Sequence, residues 1–407
     1  MRCKTFDLEE LKQYGYKYVV ILSEYNGKLL LSRHKQRTTW EPQGGKIEPD
    51  ETPLEAAKRE LFEESGATKF SIQPLCDYWA GTGMVGEKET GGCGVVFTAQ
   101  IEVLGDIPDS EMAEVASFDT LPNHLTYPAI TPVLMARQTL YVSDLDGTLL
   151  KSSQTTSDYT NTVINNLVQR GMHFSYATAR SSATSTIVAE GIRAEIPIIV
   201  YNGSFIIDNL TGEHLLEQYF EDDAASRILS LLDGHGIHPL VYSFSNGKER
   251  YRYEESKIND CTKDFIGTRD DCRKTPVHTF EDLLDGDIFH FSCIDEENIL
   301  RPAYEQLKEE FYCTIGNDIY SGDCWLEIMP KEATKANAIH KLKEMLGCKR
   351  VVVFGDGVND VPMFEQAHEC YAVANAEESL KEIATDVILS NNEDGVAKWL
   401  EEHVPLR

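Results

Sequence analysis

The sequence predicts an α/β protein built from more than one domain, and three observations carry that prediction. At 407 residues the chain exceeds what a single hydrophobic core usually organises. Its first third alternates short β-like runs with turns around one helical segment. From Leu140 onward the rhythm becomes strand, helix, strand, the pattern of a parallel sheet with helical crossovers.

Taken in order, residues 18–22 and 28–31 are apolar runs flanking Tyr25-Asn26-Gly27, which predicts a hairpin. A helix is predicted over 53–65. Thr52 suits its N-cap, Pro53 its first position, Glu55 completes a capping box, and Gly66 fits the left-handed residue past its end. Leu54, Ala57 and Leu61 form the stripe expected to dock on a sheet. Residues 94–99 read as a further strand. The Pro-punctuated stretch from Pro122 to Pro132 places a boundary near residue 138, giving units of 1–137 and 138–407. In the second unit, strands are predicted at 140–143, 173–177, 198–201 and 350–354. Residues 213–326 interrupt the parallel pattern and read as an inserted cap, leaving core segments 138–212 and 327–407.

Charge and cysteine usage narrow the function. Acidic residues number 67 against 38 basic ones, a formal charge of −29, which repels polyanions and weighs against nucleic-acid binding. Small phosphorylated substrates stay open, because a bound metal reverses the local sign. Ten scattered cysteines without a CxxC pair suit reduced thiols. The N-terminus lacks an apolar signal segment, and no apolar run approaches the ~18 residues that span a bilayer. A cytoplasmic protein without membrane contact is the expectation; the oligomeric state is left open.

Two constellations carry chemistry. In the first, Glu60 and Glu63 are three apart and Glu60 and Glu64 four apart, so all three crowd one helix face. Like charges at that spacing destabilise a helix unless a cation neutralises them. The full pattern is Gly45-x5-Glu51-x7-Arg59-Glu60-Leu61-x-Glu63-Glu64-x-Gly66-Ala67. Residues 1–137 thereby resemble a Nudix hydrolase domain. The resemblance implies an α/β/α sandwich with a mixed sheet and Mg²⁺-dependent hydrolysis of a nucleoside diphosphate linked to another group. It makes Glu60, Glu63 and Glu64 metal ligands, Glu63 and Glu64 catalytic, and Gly45, Glu51 and Arg59 structural. Oxygen-only ligands suit Mg²⁺, with Mn²⁺ as an alternative. Glu111 and Glu114 are candidate general bases, against an ordinary loop-acid role. Trp40, Trp79 and Tyr78 are candidates for stacking a base, against an ordinary packing role.

In the second, 140–143 runs into Asp144-Leu145-Asp146-Gly147-Thr148-Leu149, placing two aspartates at the carboxyl end of a parallel strand. Thr178 ends another strand in Ala177-Thr178-Ala179-Arg180, Lys335 opens a helix, and Gly355-Asp356-Gly357-Val358-Asn359-Asp360 follows a buried strand. In that order the segments resemble haloacid-dehalogenase-type (HAD) phosphatases, particularly Cof-like members with a large cap. The resemblance implies a Rossmann-like core with a parallel sheet and an inserted α+β cap. It makes Asp144 the nucleophile, Asp146 the acid and base, Thr178 a hydrogen-bond donor to the phosphoryl oxygens, and Lys335, rather than neighbouring Lys331, the balancing cation. Mg²⁺ would be held by Asp144, the Asp146 carbonyl and Asp356, with Asp360 completing the set and Asn359 in support. Arg180 and Asn202 are candidate substrate contacts; Arg180 equally suits a surface ion pair.

Three functions are therefore expected in competition. One is a bifunctional Mg²⁺-dependent phosphohydrolase, cleaving a nucleoside di- or triphosphate and then dephosphorylating a monoester such as the nucleoside monophosphate or sugar phosphate. A second is a phosphatase regulated by a nucleotide-sensing N-terminal module. A third is an RNA 5′-end pyrophosphohydrolase, suggested by Pro42-Gln43-Gly44-Gly45 and opposed by the charge.

Overall fold

The structure is a computed structural model describing residues 2–404, apart from 88–89, 194, 268–270 and 318–320. In the first third, strands β1 (Arg2–Phe6), β2 (Tyr18–Tyr25), β3 (Lys28–His34), β4 (Gln43–Lys46), β5 (Ala67–Gly81), β6 (Gly91–Leu104) and β7 (Met112–Phe118) form one sheet. Its order is β1-β5-β6-β2-β3-β7, with β4 on β2. The β2–β6 pair is parallel and the rest antiparallel, so the sheet is mixed, as expected. Asn26 and Gly27 both take positive φ at the β2–β3 turn, as a tight hairpin requires.

The predicted helix forms over Pro53–Ser65, with both halves of the capping box made and Gly66 left-handed. It packs on one face of the sheet through Ala56, Ala57 and Leu61 against Val19, Ile21 and Phe97. Leu54, expected in that stripe, is instead 39% exposed. The buried face is carried by Ala56, Ala57 and Leu61, and Leu54 lies off it. The opposite face is covered by the Thr131–Gln138 helix through Leu134 and Met135, which starts at the end of the Pro-punctuated stretch and runs to the predicted boundary. This gives the expected three layers. The 15-residue β5 was hidden by polar Lys69, Ser71 and Gln73 and by Pro74, where its register shifts.

The second unit begins where that helix runs directly into β8 (Thr139–Ser143). With β9 (His173–Tyr176), β19 (Arg350–Gly355), β20 (Glu369–Val373) and β21 (Asp386–Ile388), β8 builds a five-stranded parallel sheet in the order β21-β20-β19-β8-β9. The run 198–201, expected in it, becomes β10 (Ile198–Val200). It touches the parallel sheet by one bridge, Ala177–Ile199, and pairs antiparallel with β11 (Phe205–Ile207), which pairs with β12 (His214–Glu217). The tight turn 201–203 reverses the chain before a longer parallel ladder can form. Strands β13 (Leu240–Ser245), β14 (Lys248–Glu254), β15 (Lys274–Val277), β16 (Asp287–Asp295), β17 (Tyr312–Asn317) and β18 (Cys324–Met329) make a separate sheet, ordered β15-β14-β13-β16-β18-β17. Helices Asp222–Gly234 and Glu297–Leu307 share a core with it, through Ile228, Leu232, Phe291, Leu300 and Leu326. This inserted layer runs on to Met329, past residue 326 where the sequence pattern ended it.

Removing the N-cap is the direct test of the Pro53–Ser65 helix. Thr52→Ala is expected to cost about 1 kcal/mol, read as a lower urea midpoint for the N-terminal unit in the full chain. An unchanged midpoint would mean that the cap contributes nothing.

Candidate active sites

The second unit holds a dense acid cluster at the carboxyl ends of β8 and β19. Asp144 directly follows β8, and its amide is fixed by the carbonyl of Phe354 on β19. Gly147 turns the chain back with φ +77°; a Cβ there would lie 2.2 Å from Asp356 Oδ2, so only glycine lets this loop close on the acid. Lys335, at the start of the Lys335–Met345 helix, is completely buried. Its ammonium sits 2.5 Å from Asp144 Oδ1 and 2.8 Å from Asp360 Oδ1. Asp360 Oδ2 accepts from the amides of Asp356 and Gly357, so both its oxygens are engaged by protein donors. Thr148 donates to Asp356 Oδ1 at 2.7 Å. One oxygen from each of Asp144, Asp356 and Asp360 lies within 4.8 Å of the others.

The electrostatics of this cluster call for a cation. Burial drives the Asp144 carboxyl well above its usual range; Lys335 opposes that, and the charges of Asp360, Asp356 and Asp146 add to it. Asp356 is pushed up to about 7, by burial first and by Asp360 second. Burial works against the Lys335 charge, but Asp144 and Asp360 outweigh it and hold the ammonium firmly protonated. Asp144 shifts upward because its burial, reinforced by the neighbouring carboxylates, outweighs Lys335, and Lys335 shifts upward because Asp144 and Asp360 outweigh its burial. A divalent ion fits that donor set: hard oxygens, excess negative charge, and Asp144 and Asp356 facing each other beside the glycine turn.

Other predicted residues fall around this cluster. Thr178 is buried, and its hydroxyl oxygen accepts from the Arg180 amide at 3.1 Å. Arg180 pairs with a site residue instead of a surface acid: its guanidinium forks onto Asp146 at 2.7 and 2.6 Å. Asn202 is buried and donates to Glu327 at 3.0 Å. Asn359 lies in the short turn Val358–Asp360, partly exposed. Lys331 bonds the carbonyl of Glu309 at the surface, away from the acids. Sequence reasoning assigned no role to Thr148, Glu327 or Asn375, which donates to the Gly147 carbonyl at 2.8 Å. Thr148 lies inside the Asp144–Leu149 motif; Glu327 has no local signal, because its partners come from distant segments.

The first unit gathers its acids differently. Arg59 bonds both oxygens of Glu51 (2.9 and 3.0 Å), Glu60 (2.9 Å), Glu63 (3.2 Å) and the Lys46 carbonyl. It lowers the Glu51 carboxyl, in keeping with a bracing pair. Glu64 accepts from the Gly44 amide at 2.7 Å. Burial pushes Glu64 up to about 8, the Gly44 amide opposes that, and the charges of Glu60, Glu41 and Glu111 reinforce it. Gly45 lies against the Glu60 carboxylate: a Cβ there would fall 2.1 Å from Glu60 Oε1, so a side chain would displace that carboxylate. Glu60, Glu63 and Glu64 form no close triad of the kind seen at Asp144, Asp356 and Asp360 among the described residues. The reason is Arg59, which draws Glu60 and Glu63 to itself while Glu64 turns to the backbone.

Around this helix, Glu111 is exposed, 3.3 Å from His34 Nε2, and Glu114 pairs with Arg33. Trp40 packs edge-on to Phe118 with the Arg33 guanidinium over its ring. Trp79 and Tyr78, offered as base-stacking candidates, are corrected to core residues: Trp79 packs with Leu11 and Cys93, and Tyr78 with Leu22 and Val96.

Comparison with known proteins finds a family for each unit. Residues 141–400 match the haloacid dehalogenase-like hydrolase model, and residues 15–131 match the NUDIX domain model. Two Bacillus subtilis proteins, the 5-amino-6-(5-phospho-D-ribitylamino)uracil phosphatases YwtE and YcsE, are 28% and 27% identical. The matches cover 64% and 65% of this chain and 96% and 95% of theirs. A haloacid dehalogenase-like hydrolase from Bacteroides thetaiotaomicron superimposes with a TM-score of 0.55 at 24% identity, over 65% of this chain and 98% of its own. That likeness shows the fold. No helix among the described residues is long and apolar enough to cross a membrane.

The raised carboxyls predict a pH-dependent response to metal. A group raised in the folded state stabilises fully below its unfolded value, 3.8 for Asp356, and that contribution is lost as pH rises through about 7. Glu64, raised to about 8, acts with the same sign. Metal-stripped protein should lose thermal stability between about pH 5 and about pH 8. Added Mg²⁺ should restore more at the upper end than at the lower. A Mg²⁺ effect independent of pH would contradict this account.

Proposed function

The chain belongs to the haloacid dehalogenase-like hydrolase family and carries a NUDIX domain ahead of it, and we propose that it is a bifunctional, Mg²⁺-dependent phosphohydrolase. The observation that carries the phosphatase half is the acid triad Asp144, Asp356 and Asp360 around a fully buried Lys335. In this reading Asp144 attacks the phosphorus of a monoester, forming an aspartyl-phosphate as the bond to the leaving oxygen breaks. Asp146 gives that oxygen its proton, then takes one from the water that hydrolyses the acyl phosphate and releases orthophosphate. Thr178 and Lys335 balance the phosphoryl charge. A bound Mg²⁺, held by Asp144, Asp356 and the Asp146 carbonyl, would add charge neutralisation and orient the phosphoryl group. The Bacillus relatives carry the name of a phosphate ester on a ribityl chain, which supports a sugar- or polyol-type leaving group.

The NUDIX half would use Glu60, Glu63 and Glu64 to cleave a nucleoside polyphosphate, with Glu51 and Arg59 as the brace. Its monophosphate product falls in the substrate class of the second site. One observation favours the alternative of a nucleotide-sensing module: Arg59 holds Glu60 and Glu63 apart from Glu64. Nucleotide binding without turnover would establish that alternative.

A nucleotide and sugar-phosphate panel with Mg²⁺, followed by ³¹P NMR, separates the readings. Asp144→Asn should abolish orthophosphate release by about a thousandfold or more, leaving pyrophosphate-bond cleavage intact. Glu64→Gln should do the reverse, with a loss of about a hundredfold or more. Retention of both activities in both variants would refute the assignment.

A further inference from the structure

The turn Tyr201-Asn202-Gly203 is an unusual piece of backbone. Three consecutive residues have positive φ, at +51°, +52° and +108°. L-residues visit that region singly, and a tyrosine there is strained. The turn is wedged between the two segments that would grip a phosphoryl group. On one side, the Asn202 amide bonds the Thr178 carbonyl at 2.9 Å and the Tyr201 amide bonds the Arg180 carbonyl at 3.0 Å. On the other, a Cβ on Gly203 would lie 2.2 Å from the Thr334 carbonyl oxygen and 3.0 Å from the Lys335 amide. The turn therefore sets the spacing between Thr178 and Lys335.

What holds it comes from the inserted layer. Asn202 Nδ2 donates to Glu327 on β18, a carboxylate that also accepts from Thr314 and faces His290 at 3.5 Å. The Tyr201 hydroxyl donates to Glu249 on β14, and Arg273 bonds both that carboxylate and the Tyr201 oxygen. Asp271 secures Arg273 from behind. Two separate anchors on the insert thus meet two adjacent strained residues of the core.

We infer that Glu327 and the Glu249–Arg273 pair are positioning residues of the phosphatase site, acting through the 201–203 turn to hold Thr178 and Lys335 at working separation. The inserted layer then does more than enclose a leaving group: its docking completes the phosphate grip. This rests on the phosphatase reading of the acid triad.

The test uses the full chain with Mg²⁺, p-nitrophenyl phosphate as substrate and orthovanadate as phosphoryl mimic. The substrate's flat ring has no hydroxyls for the insert to read. Glu327→Gln should lower kcat at least about tenfold and weaken orthovanadate at least about tenfold, because small misplacements of gripping groups are costly. Tyr201→Phe, which keeps the ring, should shift both in the same direction by about threefold or more. Both losses must persist per folded molecule, with melting temperatures checked in parallel. Unchanged kcat and vanadate affinity, with only KM for polyol phosphates altered, would make these residues leaving-group readers and overturn the inference. Losses that merely track unfolding would also overturn it. If Glu327→Gln fails to fold, Tyr201→Phe decides alone. Wild-type protein that binds vanadate calorimetrically without turnover would sink the phosphatase reading, while the vanadate affinities of the variants would still judge the turn.

Discussion

The second unit is organised around an imbalance of buried charge. Asp144, Asp356 and Asp360 crowd one ammonium, that of Lys335, at the ends of two neighbouring parallel strands. A buried carboxylate without a counter-charge is costly, and one lysine cannot answer three. The surrounding structure distributes the load. Asp360 is satisfied by Lys335 and two amides, Asp356 takes the Thr148 hydroxyl, and Asp146 is forked by Arg180. The remaining demand for positive charge rests on Asp144 and Asp356, an arrangement that could hold a divalent ion.

The first unit meets the same problem with a different solution. Its glutamates lie along one helix face and are partly solvated, and Arg59 serves as an internal counter-ion for Glu51, Glu60 and Glu63. Only Glu64 is sheltered enough for burial to raise its carboxyl strongly. One site is thus a deep cluster that strains for a cation, and the other a surface array in which an arginine holds part of the charge. Both gather carboxylate oxygens, the hard donors that suit a divalent cation.

The insert and the core are joined where geometry matters most. Residues 201–203 leave the parallel layer after one bridge, adopt left-handed backbone, and are met by side chains from β14 and β18. Strained backbone persists only where neighbours over-determine it, and here the neighbours come from another layer. The backbone between Thr178 and Lys335 is therefore held by contacts from both layers.

Much of this was written in local sequence. The Thr52 cap, the Asn26-Gly27 hairpin and the strand-end acids follow from short-range rules of turn chemistry and periodicity, which need no knowledge of distant segments. The family resemblance pointed to Lys335 rather than Lys331, and the fold buries Lys335 between Asp144 and Asp360. Tertiary structure decided the rest. Packing put Leu54 outside and Trp79 inside, because burial depends on which face meets the sheet. A chain reversal moved 198–200 out of the parallel ladder. Glu327, Glu249 and Arg273 reach the 201–203 turn across separations that no spacing rule spans. Residue types can announce chemistry locally, but which charges share a cavity, and which side chains hold the backbone around it, is settled only when remote strands are brought side by side.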